Sequence, residues 1–271
     1  ALKRAKGVEI SNGEILAFLD DDTYPEKDWL KNSLRAMETK NIKALGGPAV
    51  TSPKDNFSKQ ISGLIYGSAL MSGKHKARYV PNKVQYVSDY PSCNFIITKE
   101  LYQKVGGFDS EYWPGEDTIL CNSIMKANEK ILYTPEALVY HHRRDLFFGH
   151  FKQLKGYAWH RGYFVKKFGG NSFELSYFIP SIFLLWTVFL PIALIFNFQI
   201  FINNLIPFLS ENMITFLLLA PHILYFICLI GSWISSFSLI KGFCKIVGIF
   251  LSHLVYGFFF IKGFLIGLIG D

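Results

Sequence analysis

Three consecutive aspartates, Asp20, Asp21 and Asp22, follow the apolar segment Ile15–Leu19. Neighbouring carboxylates repel one another, so three in a row are costly unless a cation neutralises them. Oxygen-rich clusters of this kind suit Mg²⁺ or Mn²⁺ shared with substrate phosphates. The alternative is an acidic turn ahead of a helix, because Pro25 follows closely. Their position after a predicted strand favours a metal and phosphate site.

A second acidic pair, Glu116 and Asp117, follows Gly115 at the start of a predicted helix. The helix dipole favours the ionised form of a carboxylate placed there. We therefore expect this pair to offer a carboxylate that can act as a general base near neutral pH. A plain helix cap is the structural alternative.

A third group is the run His141, His142, Arg143 and Arg144, which comes after a short predicted strand. A neutral imidazole can complete a metal shell, and arginines bind phosphates. From the sequence alone, packing against a membrane interface explains His142 and the arginines equally well.

The elements that must position these groups alternate between strands and helices, which predicts an α/β layer fold with ligands beyond the carboxyl ends of strands. Thr98 is a predicted helix N-cap, and Pro25 a predicted helix start. The first residues resemble the end of a helix. Predicted strands are 15–19, 43–50, 94–97, 131–133 and 137–140; predicted helices are 25–37, 61–71, 98–105 and one that starts after Glu116.

Charge is distributed very unevenly along the chain. Residues 1–174 hold 25 of the 28 Lys and Arg and 19 of the 21 Asp and Glu. The remaining residues form long apolar runs, and about 20 apolar residues suffice to span a bilayer. We therefore expect a membrane domain at 175–271, with two to three transmembrane helices at about 178–200, 214–235 and 246–269. Lys262 interrupts the third, which is either complete or only partly embedded.

Basic residues precede the first span and are absent from the loop after it, whereas Lys241 and Lys245 follow the second. The positive-inside rule then predicts a multi-pass cell-membrane protein with its first 174 residues in the cytoplasm. Between these parts, 146–174 mixes basic and aromatic residues at near-helical spacing. It is predicted to be an amphipathic helix in the membrane interface, in contact with membrane lipids, with a packing helix as the alternative.

The net charge of +7 does not indicate nucleic acid as a partner, because the basic residues are scattered and form no known nucleic-acid module. The four cysteines show no spacing typical of a zinc site or a disulfide framework.

Several short motifs occur in an order that resembles the family 2 glycosyltransferases, which share the GT-A fold. The resemblance covers residues 1 to about 161, and five motifs in order are far more specific than any one of them. The motifs are Gly13–Asp22 followed by Pro25 and Trp29-Leu30, Ser92–Ile97, Val105–Asp109, Gly115–Thr118 and Val139–His142.

The resemblance implies an enzyme whose donor is a nucleoside-diphosphate sugar and whose cofactor is a divalent cation, Mg²⁺ or Mn²⁺. Asp22 would be the more direct metal ligand, and Asp20 would lie nearer the nucleotide, with Asp21 beside them. Asp117 would be the general base, supported by Glu116. The resemblance also implies His141 as a metal ligand, although His142 competes for that role. It further implies that Ser92, Cys93 and Asn94 lie along the donor sugar.

The predicted organisation is a GT-A-type, Rossmann-like domain at 1–145, lacking the family's N-terminal nucleotide-binding half, followed by the interfacial segment and the membrane domain. The predicted function is inverting transfer to a lipid-linked or glycan acceptor at the cytoplasmic membrane face. Gln153 does not begin the Gln-x-x-Arg-Trp motif of processive synthases, which favours transfer of single sugars. A catalytically decayed membrane scaffold and a nucleotidyltransferase of similar fold are the alternatives.

Overall fold

A computed structural model describes residues 2–108, 115–169, 173–206, 208–236 and 238–269. The strands are β1 Ile15–Leu19, β2 Thr23–Pro25, β3 Ala44–Gly46, β4 Ala49–Thr51, β5 Gln85–Val87, β6 Asn94–Thr98, β7 Ile131–Tyr133 and β8 Val139–His141. The helices are α1 Leu2–Ile10, α2 Trp29–Lys40, α3 Phe57–Tyr66, α4 Ala69–Ser72, α5 Lys99–Lys104, α6 Glu116–Lys126, α7 Phe148–Lys167, α8 Ile179–Ile195, α9 Phe198–Leu205, α10 Glu211–Ile234 and α11 Leu239–Ile269.

The strands form two mixed sheets, which confirms the predicted α/β class. The larger sheet has the order β1-β6-β3-β7-β5, and the smaller one β2-β8-β4. Among the described strands, β3 with β7 and β4 with β8 are the pairs that run in parallel. Side chains of β6 alternate between the two faces, as the strand repeat requires: Phe95 and Ile97 join one buried cluster, and Ile96 joins another.

Several predicted elements agree with the structure. The strand Ile15–Leu19 is β1, and Thr98 caps α5 by accepting a hydrogen bond from the Leu101 backbone N–H. The predicted strand over 43–50 is instead two strands, β3 and β4, which lie in different sheets because the chain turns at Gly47-Pro48.

The predicted helix start at Pro25 is wrong. Pro25 ends the strand β2, which pairs with β8, and α2 begins only at Trp29. A proline has no backbone N–H to donate, so it is tolerated in an edge strand such as β2. The short strand predicted at 137–140 is also displaced, because β8 runs from Val139 to His141.

Three helices are long and apolar enough to cross a membrane: Leu175–Ile195, Glu211–Ile234 and Leu239–Leu268. The first ends before the predicted residue 200, because Asn197 has a left-handed backbone (φ 49°) and α9 begins after it. The third begins earlier than predicted. It takes in Lys241 and Lys245, and the Lys245 ammonium donates to the carbonyl of Ser232 at 2.9 Å.

Helix α7 lies along α11 over much of its length, so it is a packing helix; its placement in the membrane interface stays a prediction. A glycine sets their closest approach. A Cβ on Gly263 would lie 2.0 Å from the backbone oxygen of Trp159, a distance that no side chain allows. The helices can touch backbone to backbone there only because Gly263 has no side chain.

Gly263→Ala is expected to separate α7 from α11 and to destabilise the protein by about 1–3 kcal/mol, the usual cost of overpacking. Thermal unfolding in detergent measures the effect. Gly231→Ala in α10 is the control, since a Cβ there meets nothing within 4 Å. Equal melting temperatures for the two variants would contradict the proposed helix contact.

Candidate functional site

The three aspartates form a turn directly after β1. The Thr23 backbone N–H and hydroxyl both donate to the carbonyl of Asp20, at 3.0 and 2.8 Å. This turn leaves Asp21 exposed, whereas Asp20 and Asp22 are half-buried and line a common cavity. Asp21, predicted with them as a donor-binding residue, is not a lining residue of that cavity.

The pairing of β2 with β8 brings His141 to the same place. Register pairs Thr23 with His141, so the residue before β2 lies beside the end of β8. His141 Nε2 is 3.0 Å from Asp22 Oδ1, and Asp20, Asp22 and His141 offer ligand atoms that all lie within 4.8 Å of one another. Two carboxylates and an imidazole fit a divalent cation such as Mn²⁺ or Mg²⁺.

His142 points to a different partner. Its Nδ1 lies 2.6 Å from Asp55 Oδ1, and the Arg143 backbone N–H donates to the other oxygen of Asp55. Of the two histidines that competed for the metal position, the structure therefore brings His141 to the aspartates. Arg143 packs in the protein interior, where it donates to the carbonyl of Ala49.

Arginines compensate the charge of the aspartates. Arg144 lies 3.2 Å from Asp22, and Arg4 lies 2.5 Å from Asp20. Burial alone raises the pKa of Asp22, but the hydrogen bond with His141 and the charge of Arg144 outweigh it, so its pKa is below the ordinary value. Asp22 is therefore held ionised, as a metal ligand must be.

The second acidic pair stands at the start of α6, directly after Gly115. Gly115 has φ 137°, and a Cβ there would lie 2.3 Å from the ring of Phe164. Only glycine fits this backbone conformation and this close contact. The sharp turn directs Glu116 and Asp117 into the cavity that also contains Asp20 and Asp22.

Asp117 differs from its prediction in one respect. Burial and the neighbouring charge of Glu116 raise its pKa to about 6, although hydrogen bonds from Ser92 and the charge of Arg4 oppose the shift. The expected stabilisation of its ionised form by the helix dipole does not prevail, because desolvation is the larger effect. No described residue offers a hydrogen-bond partner to Asp117 Oδ1.

Glu116 is buried and forms an ion pair with Arg4 at 2.8 Å. Because Arg4 also binds Asp20, this one guanidinium joins the two acidic groups. Sequence analysis missed Arg4. It precedes Asp20 by 16 residues and Glu116 by 112, so no local pattern connects it to either of them.

The residues predicted to lie along the donor sugar divide into different roles. Cys93 lines the cavity, and Ser92 is buried against Asp117. Asn94 is fully buried and is not among the lining residues. It donates to the carbonyls of Gly47 and Ala137 and accepts from the Trp29 indole N–H, so it holds strands together instead of contacting a donor.

The cavity has a volume of about 940 Å³ and extends from the acidic residues to the candidate membrane helices α8, α10 and α11. Aromatic residues that the sequence analysis did not select, Tyr79 and Tyr157, also line it. The motif residue Asp109 lies outside the described residues.

Comparison with known proteins gives similar enzymes in a bacterium and in archaea. A pre-mycofactocin glycosyltransferase of Mycobacterium tuberculosis (strain CDC 1551 / Oshkosh) is 31% identical over 147 residues, which cover 54% of this chain and 31% of the relative. A dolichyl N-acetyl-alpha-D-glucosaminyl phosphate 3-beta-D-2,3-diacetamido-2,3-dideoxy-beta-D-glucuronosyltransferase of Methanococcus voltae is 22% identical over 253 residues, covering 89% of this chain and 74% of the relative. A glucosyl-dolichyl phosphate glucuronosyltransferase of Haloferax volcanii is 22% identical over 151 residues, covering 51% of this chain and 46% of the relative.

The match to the mycobacterial enzyme thus spans about a third of that protein's length. A much longer match comes from a family model described as glycosyl transferase family group 2, which aligns with residues 15–259 and so includes both acidic groups, His141 and most of the apolar helices. On this match the chain belongs to the family 2 glycosyltransferases.

Proposed function

We propose that the protein transfers a sugar from a nucleoside-diphosphate sugar to an acceptor hydroxyl, with inversion at the anomeric carbon. The observation that carries this proposal is the composition of one cavity. It contains a three-residue cation site at Asp20, Asp22 and His141, and a buried carboxylate, Asp117, with one oxygen that no described residue binds. Family membership supplies the reaction class.

The donor half of the site is Asp20, Asp22 and His141. A divalent cation, when held there, would offset the charge that develops on the departing diphosphate. Arg4 and Arg144 lie against the same aspartates and are placed to bind phosphate oxygens.

The acceptor half is Asp117. Its carboxylate takes the proton of the acceptor hydroxyl while the acceptor oxygen bonds to the anomeric carbon. The bond from that carbon to the diphosphate oxygen breaks, and the nucleoside diphosphate leaves with the electron pair. A base whose pKa lies near 6 is mostly ionised at neutral pH and still accepts a proton well. Glu116, held by Arg4, orients this group.

We further propose a lipid-linked or glycan acceptor and a cytoplasmic catalytic part. The two archaeal relatives are named for dolichyl phosphate substrates, and three helices of this chain suit a membrane. The basic residues ahead of α8 support the cytoplasmic placement. The failed Gln-x-x-Arg-Trp match supports transfer of one sugar at a time.

Asp22→Asn is expected to weaken Mn²⁺ binding in the presence of a nucleoside diphosphate by at least about tenfold, because even indirect changes at metal sites cost about that much. Electron paramagnetic resonance of free Mn²⁺ measures the affinity. Asp21→Asn is the matched control and should bind Mn²⁺ like the unaltered protein. If the two variants weaken binding equally, Asp22 has no special role as a ligand.

The pH profile of kcat/KM tests Asp117 as the base. We expect the rate to rise with pH and to level off above an apparent pKa of about 6, because only the ionised carboxylate accepts a proton. Asp117→Asn should abolish transfer and leave nucleotide binding intact. An inflection near the ordinary value of 3.8 would contradict the burial of this group.

The same variant should change stability. Because the native state holds the Asp117 proton more tightly than the unfolded chain, the contribution of this group falls as pH rises from about 4 to about 6. Each unit of pKa shift corresponds to about 1.4 kcal/mol. Asp117→Asn is therefore expected to stabilise the protein by about 2–3 kcal/mol at pH 7 and not at pH 4, as measured by thermal unfolding.

A further inference from the structure

The catalytic cavity does not end at the acidic residues. Its walls continue onto the helices that are long enough to span a membrane. On α8 it is lined by Ile179, Pro180, Ile182, Phe183 and Trp186; on α10 by Pro221, Leu224, Tyr225 and Cys228; and on α11 by His253 and Tyr256. One continuous space therefore joins a polar site to an apolar one.

The apolar part is open at the side. Ile179 and Ile182 on α8 are each 62% exposed, and Leu224 on α10 is 63% exposed, although all three also line the cavity. Both helices are candidate membrane spans, so the opening between them faces the region that lipid chains occupy. An apolar chain can pass from the bilayer into the cavity at this place.

Between the two parts lie two arginines that share one carboxylate. Arg78 Nη2 and Arg161 Nη2 are 3.2 and 3.0 Å from the same oxygen of Asp89. Lys74 and His75 lie against Glu174, and burial lowers the pKa of His75 to about 4, so that histidine is neutral. The charges of Lys74 and Glu174 then cancel. The two arginines and Asp89 together keep one positive charge in excess.

Arg161 also has unused hydrogen-bonding capacity. Its Nη1 is buried, and no acceptor in the described part of the chain lies within hydrogen-bond distance of it. A buried guanidinium donor without an acceptor is costly, and an anion would satisfy both the donor and the excess charge.

Arg161 stands at the level where the first span begins. Its guanidinium lies 4.7 Å from the ring of Tyr177, which belongs to the first turn of the candidate span Leu175–Ile195. In the other direction, Phe164 follows one turn later on α7 and packs on Gly115, two residues before Asp117. Arg161 thus contacts the start of the first candidate span on one side and lies one helical turn from a residue that packs beside the proposed base on the other.

We propose that this cavity binds the acceptor as a lipid phosphate, with its phosphate on Arg161 and Arg78 and its long apolar chain leaving between α8 and α10. The assignment rests on the proposed transferase function and names the chemical class of its acceptor. The acceptor would then be a lipid phosphodiester, in which the group esterified to the far side of the phosphate carries the sugar-accepting hydroxyl toward Asp117.

Binding of a radiolabelled long-chain polyprenyl phosphate to the full chain in nanodiscs tests the headgroup site. Arg161→Gln should weaken binding by at least about tenfold, the worth of one charged hydrogen bond. Arg161→Lys should restore part of the affinity. Lys152→Gln, an exposed position on the same helix, is the control and should bind normally. Nucleotide binding by each variant verifies that its site is folded.

Chain length tests the opening. Ile182→Trp should reduce binding of the long-chain phosphate severalfold and spare a two-isoprene phosphate, whereas Val188→Trp, exposed on α8 outside the cavity, should affect neither. Three outcomes would overturn the lipid phosphate site. Ile182→Trp could reduce the binding of both chain lengths equally, or Arg161→Gln could bind the probe as well as the unaltered protein. Phosphatidylglycerol could also displace the probe at equal concentration.

Transfer assays separate this proposal from the proposed function. Transfer to a soluble glycan acceptor, unaffected by Arg161→Gln, would overturn the lipid site and leave the transferase intact. The other outcome is that the protein binds the lipid phosphate as predicted but transfers no sugar from any nucleoside-diphosphate sugar. That result would support the lipid site and reject the transferase function.

Discussion

Repulsion among carboxylates is the constraint that organises this structure. Asp20, Asp22, Glu116 and Asp117 all line one end of a single cavity, where burial weakens the screening of charge by water. Two arginines compensate part of the charge: Arg144 lies at Asp22, and Arg4 bridges Asp20 and Glu116. Burial, with the charge of Glu116 as the second cause, raises the pKa of Asp117. A site with this remaining negative charge suits a cation on one side and a base on the other.

The backbone brings these charges together through pairing between distant strands. Antiparallel pairing sets Leu19 opposite Asn94, which places the aspartate turn beside the segment that contains Ser92 and Cys93. Pairing of β2 with β8 sets Thr23 opposite His141. The register of β1 with β6 depends on apolar side chains that alternate between faces, and a slip of one residue would reverse them. The grouping of Asp20, Asp22 and His141 into a candidate cation site is therefore a consequence of sheet register.

Local patterns explain which parts were predictable. Apolar content marked β1, a threonine cap marked α5, and charge-free runs marked the membrane helices, because each of these signals lies within one short segment. Arg4 and Asn94 depend instead on partners far away in the sequence. The register of β8 brings His141, and not His142, to the aspartates. Burial raises the pKa of Asp117, and no linear pattern reveals that burial. The order of the motifs predicted the candidate site, but only packing could assign contacts within it.

The acidic end of the cavity and its apolar end are connected through helix α7. Burial is the larger cause of the raised pKa of Asp117, and two side chains of α7, Tyr157 and Phe164, line the same cavity as this carboxylate. Helix α7 couples the two regions, since Phe164 packs against the turn at Gly115 while the same helix lies backbone to backbone on α11 at Gly263. The proposed base and the proposed lipid phosphate site therefore depend on the same helix, because Arg161 and Phe164 are three residues apart on α7 and both line the cavity.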